Sequence, residues 1–339
     1  MTSTNENELK IAGLSVVLQP TVRMNTTPLK NWLSELASPP AWIPLARQNG
    51  VNKVMAVLSN PDYTAIMQQL FQQISYRTAV EWQGKQYEIT GVEVDNNELH
   101  VLEIPIFPSA PLPPTLGRAI HAQCFYWLAN ADPTLAERLH QTDSFPITLT
   151  IKPGPSPTQL YLRIGLLQRE LLAPLLWGMS QDIGGEVTFT GIPCRLGNWI
   201  EIRRSSSFET LSQVPTQNII DLEFLSPTSF KQSQNIQPFP LPELVFSSLL
   251  RRWNTFAPLE LQLPVIEWQG WTSAYELKTL ALKMKGGAEI GTKGWVRYEF
   301  PDSEQAKIAT TLAHFAGFAG VGRKTAMGMG QTRILPSSE

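Results

Sequence analysis

Between Gly317 and Gly330 the chain reads GFAGVGRKTAMGMG, with the core Gly320-x-Gly322-Arg323-Lys324-Thr325-x-x-Gly328-x-Gly330. Glycine turns the backbone through positive φ and lets another backbone approach closely. Successive N–H groups in such a loop can cradle phosphate oxygens, and Arg323 and Lys324 add positive charge at the same place. The chemistry on offer is recognition of phosphate. The spacing is not that of a nucleotide P-loop, and the run does not follow a strand and open a helix as a dinucleotide fingerprint does.

Proton transfer needs a group that titrates near neutrality, and histidine is the usual one. The chain has four histidines: His100, His121, His140 and His314. His140 closes a short helix that starts at Asp132-Pro133, an N-cap followed by proline at the first helical position. A histidine in a last turn is also favoured simply by the helix dipole. His121, in the middle of the preceding helix, is the next candidate after His140, with an ordinary core or surface histidine the favoured reading. His314 lies within an apolar helix and reads as structural, and His100 alternates within a strand. Cys124 and Cys194 are isolated, and no His/Cys/Asp cluster has metal-ligand spacing. No metal and no other cofactor is therefore expected. A Gly-x-Ser-x-Gly nucleophile elbow is absent too.

These groups must be positioned by a chain of 339 residues, 42% hydrophobic and 17% charged, long enough for two or three domains. Its 27 prolines and 22 glycines are scattered, which predicts many turns. No apolar run reaches the roughly 18 residues of a membrane span, and the polar start, Met1 to Lys10, lacks an apolar signal core. Two cysteines make no disulfide framework, so a cytoplasmic setting is expected. The net charge of −2 is unusual for a binder of polyanions. The basic residues gather in the later half, however, at Arg203, Arg204, Arg251, Arg252, Lys283, Lys285, Lys293, Arg297, Arg323, Lys324 and Arg333. Part of that set on one face would make a local phosphate-binding surface. Taken singly, each is an ordinary solvated charge.

The first block, 1–96, predicts a strand over Leu9–Gln19, a short helix over Pro28–Ala37, and a helix from Pro61 to about Ser75 capped by Asn60. A hairpin over Thr78–Val94 turns near Gln83-Gly84. The second block, 97–215, predicts strands at Leu99–Phe107, Ile147–Lys152 and Gln159–Ile164. It adds helices at Gly117–Asn130 and Leu166–Met179, then strands at Gly185–Cys194 and Asn198–Ile202. The third block, 216–339, predicts a strand at Asn218–Phe224, a helix at Pro242–Phe256, and a hairpin of Leu277–Lys285 with Gly294–Phe300 across Gly286-Gly287. A helix from Asp302 to about Phe318 and a strand at Gly328–Leu335 complete it. The last two blocks share the order β-α-β-β-α-β. This α+β chain is therefore expected to hold tandem ferredoxin-like domains, with an additional N-terminal α/β block.

The glycine-rich loop closely resembles the C-terminal loop of the repeat-processing CRISPR endoribonucleases of the RAMP superfamily. Four further segments resemble that family in order: Leu112–His121, Asp132–His140, Leu222–Phe230, and Gly286-Gly287 through Gly294-Trp295-Val296. The resemblance spans about 98 to 335. It implies two ferredoxin-like (RAMP/RRM-like) domains with a groove between them. It also implies a metal-independent endoribonuclease that cuts precursor CRISPR RNA within the repeat. The 2′-hydroxyl would attack the phosphorus, leaving a 2′,3′-cyclic phosphate, a 5′-hydroxyl and a mature guide RNA.

His140 stands where many members of the family carry a catalytic histidine. Some members place a tyrosine fifteen residues earlier; here Phe125 is at that position, with Tyr126 beside it. Some place a lysine six residues later; here that is Pro146, and the nearest lysine is Lys152. The expected catalytic set is thus His140, Tyr126 and Lys152, although Tyr126 also reads as part of an aromatic core run. Arg118 is a further candidate cation. The expected RNA-binding residues are Gly320, Gly322, Arg323, Lys324, Thr325, Gly328 and Gly330 of the loop, the helical pair Arg251 and Arg252, and Arg297 on the penultimate strand. Partners are expected to be repeat RNA, as precursor and as mature guide, and other subunits of a CRISPR effector complex, with no membrane. The competing reading is a non-catalytic RAMP subunit that holds guide RNA. A general RRM-like binder is the third, and it lacks an aromatic signature on any predicted central strand. The block 1–96 carries no chemical motif and precedes everything that resembles the family.

Overall fold

The computed structural model describes residues 11–23, 26–47, 49–58, 63–284 and 287–336. The N-terminal unit comprises β1 (Gly13–Pro20), β2 (Thr27–Pro28), β3 (Ala41–Pro44), β4 (Asn52–Val57), α1 (Thr64–Ser75), β5 (Ala79–Trp82) and β6 (Lys85–Asp95). They form one sheet in the order β2-β5-β6-β1-β4-β3. The expected hairpin is present, and Gln83 and Gly84 both take positive φ at its turn. The expected helix over Pro28–Ala37 is not. A single 3-10 turn, Leu29–Asn31, stops at Trp32, whose backbone is extended. Trp32 is buried and stacks on Trp42 at 4.7 Å, so burying this indole overrides the local helical pattern. The expected cap Asn60 and Pro61 lie outside the described residues, as do Lys285 and Gly286.

The second unit runs β7 (Leu99–Pro108), α2 (Gly117–Ala131), α3 (Pro133–His140), β8 (Ile147–Pro153), β9 (Leu160–Leu166), α4 (Leu172–Met179), β10 (Glu186–Phe189), β11 (Ile192–Leu196) and β12 (Glu201–Ser206). The sheet order β10-β11-β7-β9-β8 contains the ferredoxin-like arrangement in β11-β7-β9-β8, with β12 also pairing β7. The helix expected from Leu166 begins only at Leu172, because Leu166 is still paired in β9 and a 3-10 turn intervenes. α2 and α4 pack so closely that a Cβ on Gly178 would lie 1.8 Å from the Trp127 carbonyl oxygen. β7 is buried from Leu99 to Ile106 because both of its faces are covered. Leu102, Ile104 and Ile106 share a core with α2 and α4, whereas Leu99 and Val101 join the core of the third unit.

After the short α5 (Phe208–Ser212), the third unit repeats the pattern. It comprises β13 (Ile219–Thr228), a small hairpin of β14 (Phe230–Gln232) and β15 (Asn235–Gln237), α6 (Pro242–Phe256), β16 (Trp271–Met284), β17 (Gly287–Glu299), α7 (Ser303–Ala319) and β18 (Thr332–Ile334). The order β16-β17-β13-β18 is again ferredoxin-like. Asp302 caps α7 by accepting from the Gln305 N–H at 2.8 Å. β16 and β17 are longer than their sequence pattern implies and form an arm. β18 is shorter, because the chain between Gly328 and Gln331 is still in the loop.

Two hydrogen bonds set the end of α7 on the first ferredoxin-like sheet. Thr148 on β8 donates to the Phe318 carbonyl at 3.0 Å, and Arg163 on β9 donates to the Gly317 carbonyl at 3.1 Å. Gly165 leaves room for them, since a Cβ there would lie 2.5 Å from the Phe318 oxygen. The end of α7 thus lies on the first ferredoxin-like sheet and delivers the glycine-rich loop to it. The N-terminal unit docks elsewhere. Ala46 donates to the Ile200 carbonyl at 2.8 Å, and Ala12, Ile43, Met55 and Val57 join the core around α4. No described helix is long and apolar enough to cross a membrane.

Candidate active site

α3 is fixed at its start by Asp132, whose carboxylate accepts from the Thr134 and Leu135 N–H groups at 3.0 Å each. Leu135, Ala136 and Leu139 are buried, which leaves His140 at the exposed C-terminal end. Its imidazole stacks on Phe125 of α2, with ring centroids 3.9 Å apart and planes 17° apart. His121, one turn earlier on α2, lies against the same Phe125 at 4.8 Å and against Phe145 at 5.3 Å. Phe145 in turn stacks on Phe125 at 5.0 Å. Two histidines and two phenylalanines therefore form one ring cluster. Burial lowers the pKa of His121, and the nearby His140 lowers it further.

The glycine loop is tightly built. Gly322 donates to the Ser248 hydroxyl at 3.2 Å, and Arg323 donates from its backbone to the Ser229 carbonyl at 3.0 Å. Val321 N–H donates to the Gly330 carbonyl at 2.8 Å, and Gly330 N–H donates to the Pro227 carbonyl at 3.1 Å. A side chain at Gly330 would meet the Val321 oxygen at 2.1 Å, and one at Gly322 the Ser229 oxygen at 2.4 Å, and both positions have positive φ. Several loop amides expected from the sequence to cradle phosphate are instead bonded within the protein, to Ser248, Ser229 and Pro227. The side chains of Arg323 and Lys324 converge on Glu289 of β17, with Arg323 Nη1 at 3.2 Å from Oε2 and Lys324 Nζ on Oε1. These cations hold the Glu289 carboxyl below its usual pKa, the hydrogen bond from Lys324 being the largest cause.

Arg252 ties this loop to the ring cluster. It donates to the Thr325 hydroxyl at 2.9 Å and to the Phe145 carbonyl at 3.2 Å. Burial lowers its guanidinium pKa to about 10, with Arg251 contributing. Arg252 is thus an internal brace and not the RNA-facing partner of Arg251 that the helix pattern predicted. Arg251 itself is exposed.

Other sequence candidates are placed apart. Tyr126 is 57% exposed and one helical step around α2 from Phe125, so Phe125 and not Tyr126 supplies the ring beside His140. Lys152 lies on the face of β8 opposite Ile147 and Leu149, which pack with α2. Its Nζ is 2.6 Å from the buried carboxylate of Glu103, which also pairs with Arg163 at 3.0 Å and Arg203 at 3.6 Å. The structure does not bring Lys152 to His140. Arg297 forms a two-pronged pair with Asp221, both contacts at 2.8 Å, on the face of β17 away from the core residues Val296 and Tyr298. Among the described residues no group of three or more His, Cys, Asp or Glu converges as metal ligands.

Phe145, Glu289 and the bracing role of Arg252 escaped the sequence reading, and His121 ranked there only behind His140, with an ordinary core or surface role favoured. For His121 a signal was present: it lies four residues before Phe125, on the same helical face. Chemically, two imidazoles on a shared aromatic base, one of them exposed and the other held toward its neutral form, can accept one proton and donate another. Arg118, exposed one turn before His121, can steady negative charge.

Residues 222–332 match the family described as CRISPR-associated endoribonuclease Cas6. A Cas6 endoribonuclease of Mycobacterium tuberculosis is 31% identical over 120 residues, 34% of this chain; the match spans 38% of that relative's length. A Cas6 protein solved as a product complex superposes with a TM-score of 0.64 at 24% identity, covering 70% of this chain and 100% of that one. A second Cas6 product complex gives 0.57 at 26% identity, covering 70% of this chain and 100% of its own.

Proposed function

We propose that this chain, a relative of the CRISPR-associated Cas6 endoribonucleases with their RAMP fold, cuts precursor CRISPR RNA within the repeat and does so without a metal ion. The units 97–215 and 216–339 act as the two RAMP domains, and 1–96 is an added unit. The supporting observation is the cluster in which His121 and His140 share Phe125, with Phe145 braced through Arg252 to the glycine-rich loop.

The 2′-hydroxyl next to the scissile phosphate attacks the phosphorus while the bond to the 5′-oxygen breaks. His121, whose neutral form is favoured, takes the proton from the 2′-hydroxyl. His140, at the exposed end of α3, gives a proton to the departing 5′-oxygen. The products are a 2′,3′-cyclic phosphate and a 5′-hydroxyl. Arg118 counters the charge on the phosphate, while Arg323 and Lys324 are held on Glu289. The enzyme works in the cytoplasm, where its two buried cysteines stay as free thiols, and other effector subunits can receive the guide.

The test is incubation of purified protein with end-labelled repeat RNA in excess EDTA, beside His140→Ala. One cut, with a cyclic phosphate on the upstream product and loss of cleavage in the variant, is expected. Cleavage that stops in EDTA and returns with a divalent cation would refute the metal-free reading. Tight binding with no cleavage would favour a guide-holding subunit.

A further inference from the structure

A cavity of about 590 Å³ opens at the start of α2, the helix that carries His121, and none of the residues assigned to proton transfer lines it. Its walls come from four directions: the proline-rich segment before α2, the start of α2 at Gly117 and Arg118, the sheet at Thr150 and Leu160, and the glycine loop at Met327 and Gly328. Leu282 and Lys283 of the β16–β17 arm close it from the second ferredoxin-like unit. Gly117 sits so close to the loop that a Cβ there would lie 2.4 Å from the Met327 carbonyl oxygen.

We propose that this cavity receives one unstacked nucleobase of the RNA, next to the scissile phosphate; the proposal rests on reading the chain as a repeat-cutting endoribonuclease. Three observations carry it. The walls are chiefly proline and aliphatic, which favours a flat, weakly hydrated ring over a sugar or a peptide backbone. The charged side chains in the lining are Arg118 and Lys283, both cations and no carboxylate, so the ring should arrive attached to phosphate. Arg118 lies three residues before His121 and seven before Phe125, on one face of α2. A phosphate held by Arg118 would therefore lie between the cavity and the ring cluster. The volume falls within the roughly 300–1,000 Å³ usual for small-ligand sites and exceeds what one base needs. Hydroxyls of Thr150 and Thr158 at the wall offer hydrogen bonds to a base edge.

The experiment uses the full chain and a series of repeat RNAs, each lacking one base near the cut and all carrying a 2′-deoxy sugar at the cut so that none is cleaved. Affinity is measured for the natural chain and for Thr158→Trp and Ala110→Trp, two exposed lining positions where an indole should fill the space without disturbing the core. One position is expected to show a loss of about tenfold or more when its base is removed. That loss should vanish in the filled variants, which bind every RNA with the weaker affinity. A series flat at all positions, or a penalty unchanged by filling the cavity, would overturn the proposal. A free nucleoside monophosphate that competes only with a flat RNA series would also overturn it, by marking a mononucleotide site. Cleavage of unmodified repeat RNA is scored separately. Its absence with the one-position penalty intact would remove the nuclease reading and leave the base pocket standing.

Discussion

The imidazole of His140 lies almost flat on the ring of Phe125, 3.9 Å between centroids, and His121 meets the same ring from within α2 at 4.8 Å. A shared aromatic base fixes both imidazoles while leaving their nitrogens to the substrate. Replacing either histidine by alanine should lower the single-turnover cleavage rate about 10²- to 10⁴-fold, the usual worth of a general acid or base. Repeat affinity should change little. A rate unaffected by His121→Ala would leave His140 as the sole proton-transfer histidine.

The pH dependence follows from the direction of the His121 shift. Burial first, and His140 second, lower its pKa below the ordinary 6.5, so its neutral form persists to lower pH than in an unfolded chain. Burial also lowers His314, with Arg204 adding to the effect. Both groups bind protons more readily when unfolded, so stability rises with pH through the window just below 6.5 and is lost on acidification. An NMR titration should place the His121 midpoint below 6.5. In His140→Gln the midpoint should move upward, part of the way back. A midpoint that did not move would contradict the coupling of the two rings.

Phe125 occupies the position where some relatives of this fold were expected to show tyrosine, and Tyr126 points away into solvent. Tyr126→Phe should leave the cleavage rate within about twofold, as for an exposed substitution. Phe125→Leu removes the surface on which His140 stacks and should reduce kcat with little change in KM, which stopped-flow or quench measurements separate.

Arg252 reaches Thr325 in the loop and Phe145 beside the histidines. Arg252→Met leaves both acceptors without this donor and should cost about 1–3 kcal/mol, read as a lower melting temperature, together with faster proteolysis of the loop. Arg251→Ala, at an exposed position, should leave the melt unchanged and weaken RNA binding only modestly.

Much of this arrangement was legible in the residues themselves. Pro242–Phe256 was read to its ends because proline opens it and its apolar spacing is helical, and Asp132 capped the helix that ends at His140. The helix expected at Pro28–Ala37 failed because the partner of Trp32 is Trp42, across a turn that local spacing does not reveal. Arg252 failed for a related reason. Two adjacent arginines look alike in sequence, and which one turns inward is decided by Phe145, 107 residues away. Lys152 looked available until Glu103, an acid buried in β7, appeared beside it. Periodicity reports which residues face a core; it does not report which charge already has a partner.

The N-terminal unit carries no chemical motif in its sequence, yet it packs into the core of the next unit. Met55 is 1% exposed and belongs to the core around α4, and a Cβ on Gly13 would meet its Cε at 2.9 Å. Truncation at residue 97 would uncover that apolar surface. Met55→Ala should destabilise the chain by about 2–5 kcal/mol in chemical denaturation. Cleavage by the folded fraction at low temperature should be unchanged, because none of the ring-cluster residues belongs to this unit. A variant that melts normally yet cuts poorly would tie residues 1–96 to the chemistry.

Glu289 restrains the two cations that the glycine loop presents. In Glu289→Gln the carboxylate charge is removed while its shape is kept, so Arg323 and Lys324 are released from it. If both then engage phosphates, repeat affinity should rise at low salt, and the plot of log affinity against log salt should steepen by about one to two units. The gain should shrink as salt increases and be small near physiological ionic strength. The opposite result, weaker binding with an unchanged salt slope, would mean that Glu289 holds the two side chains in the orientation RNA requires.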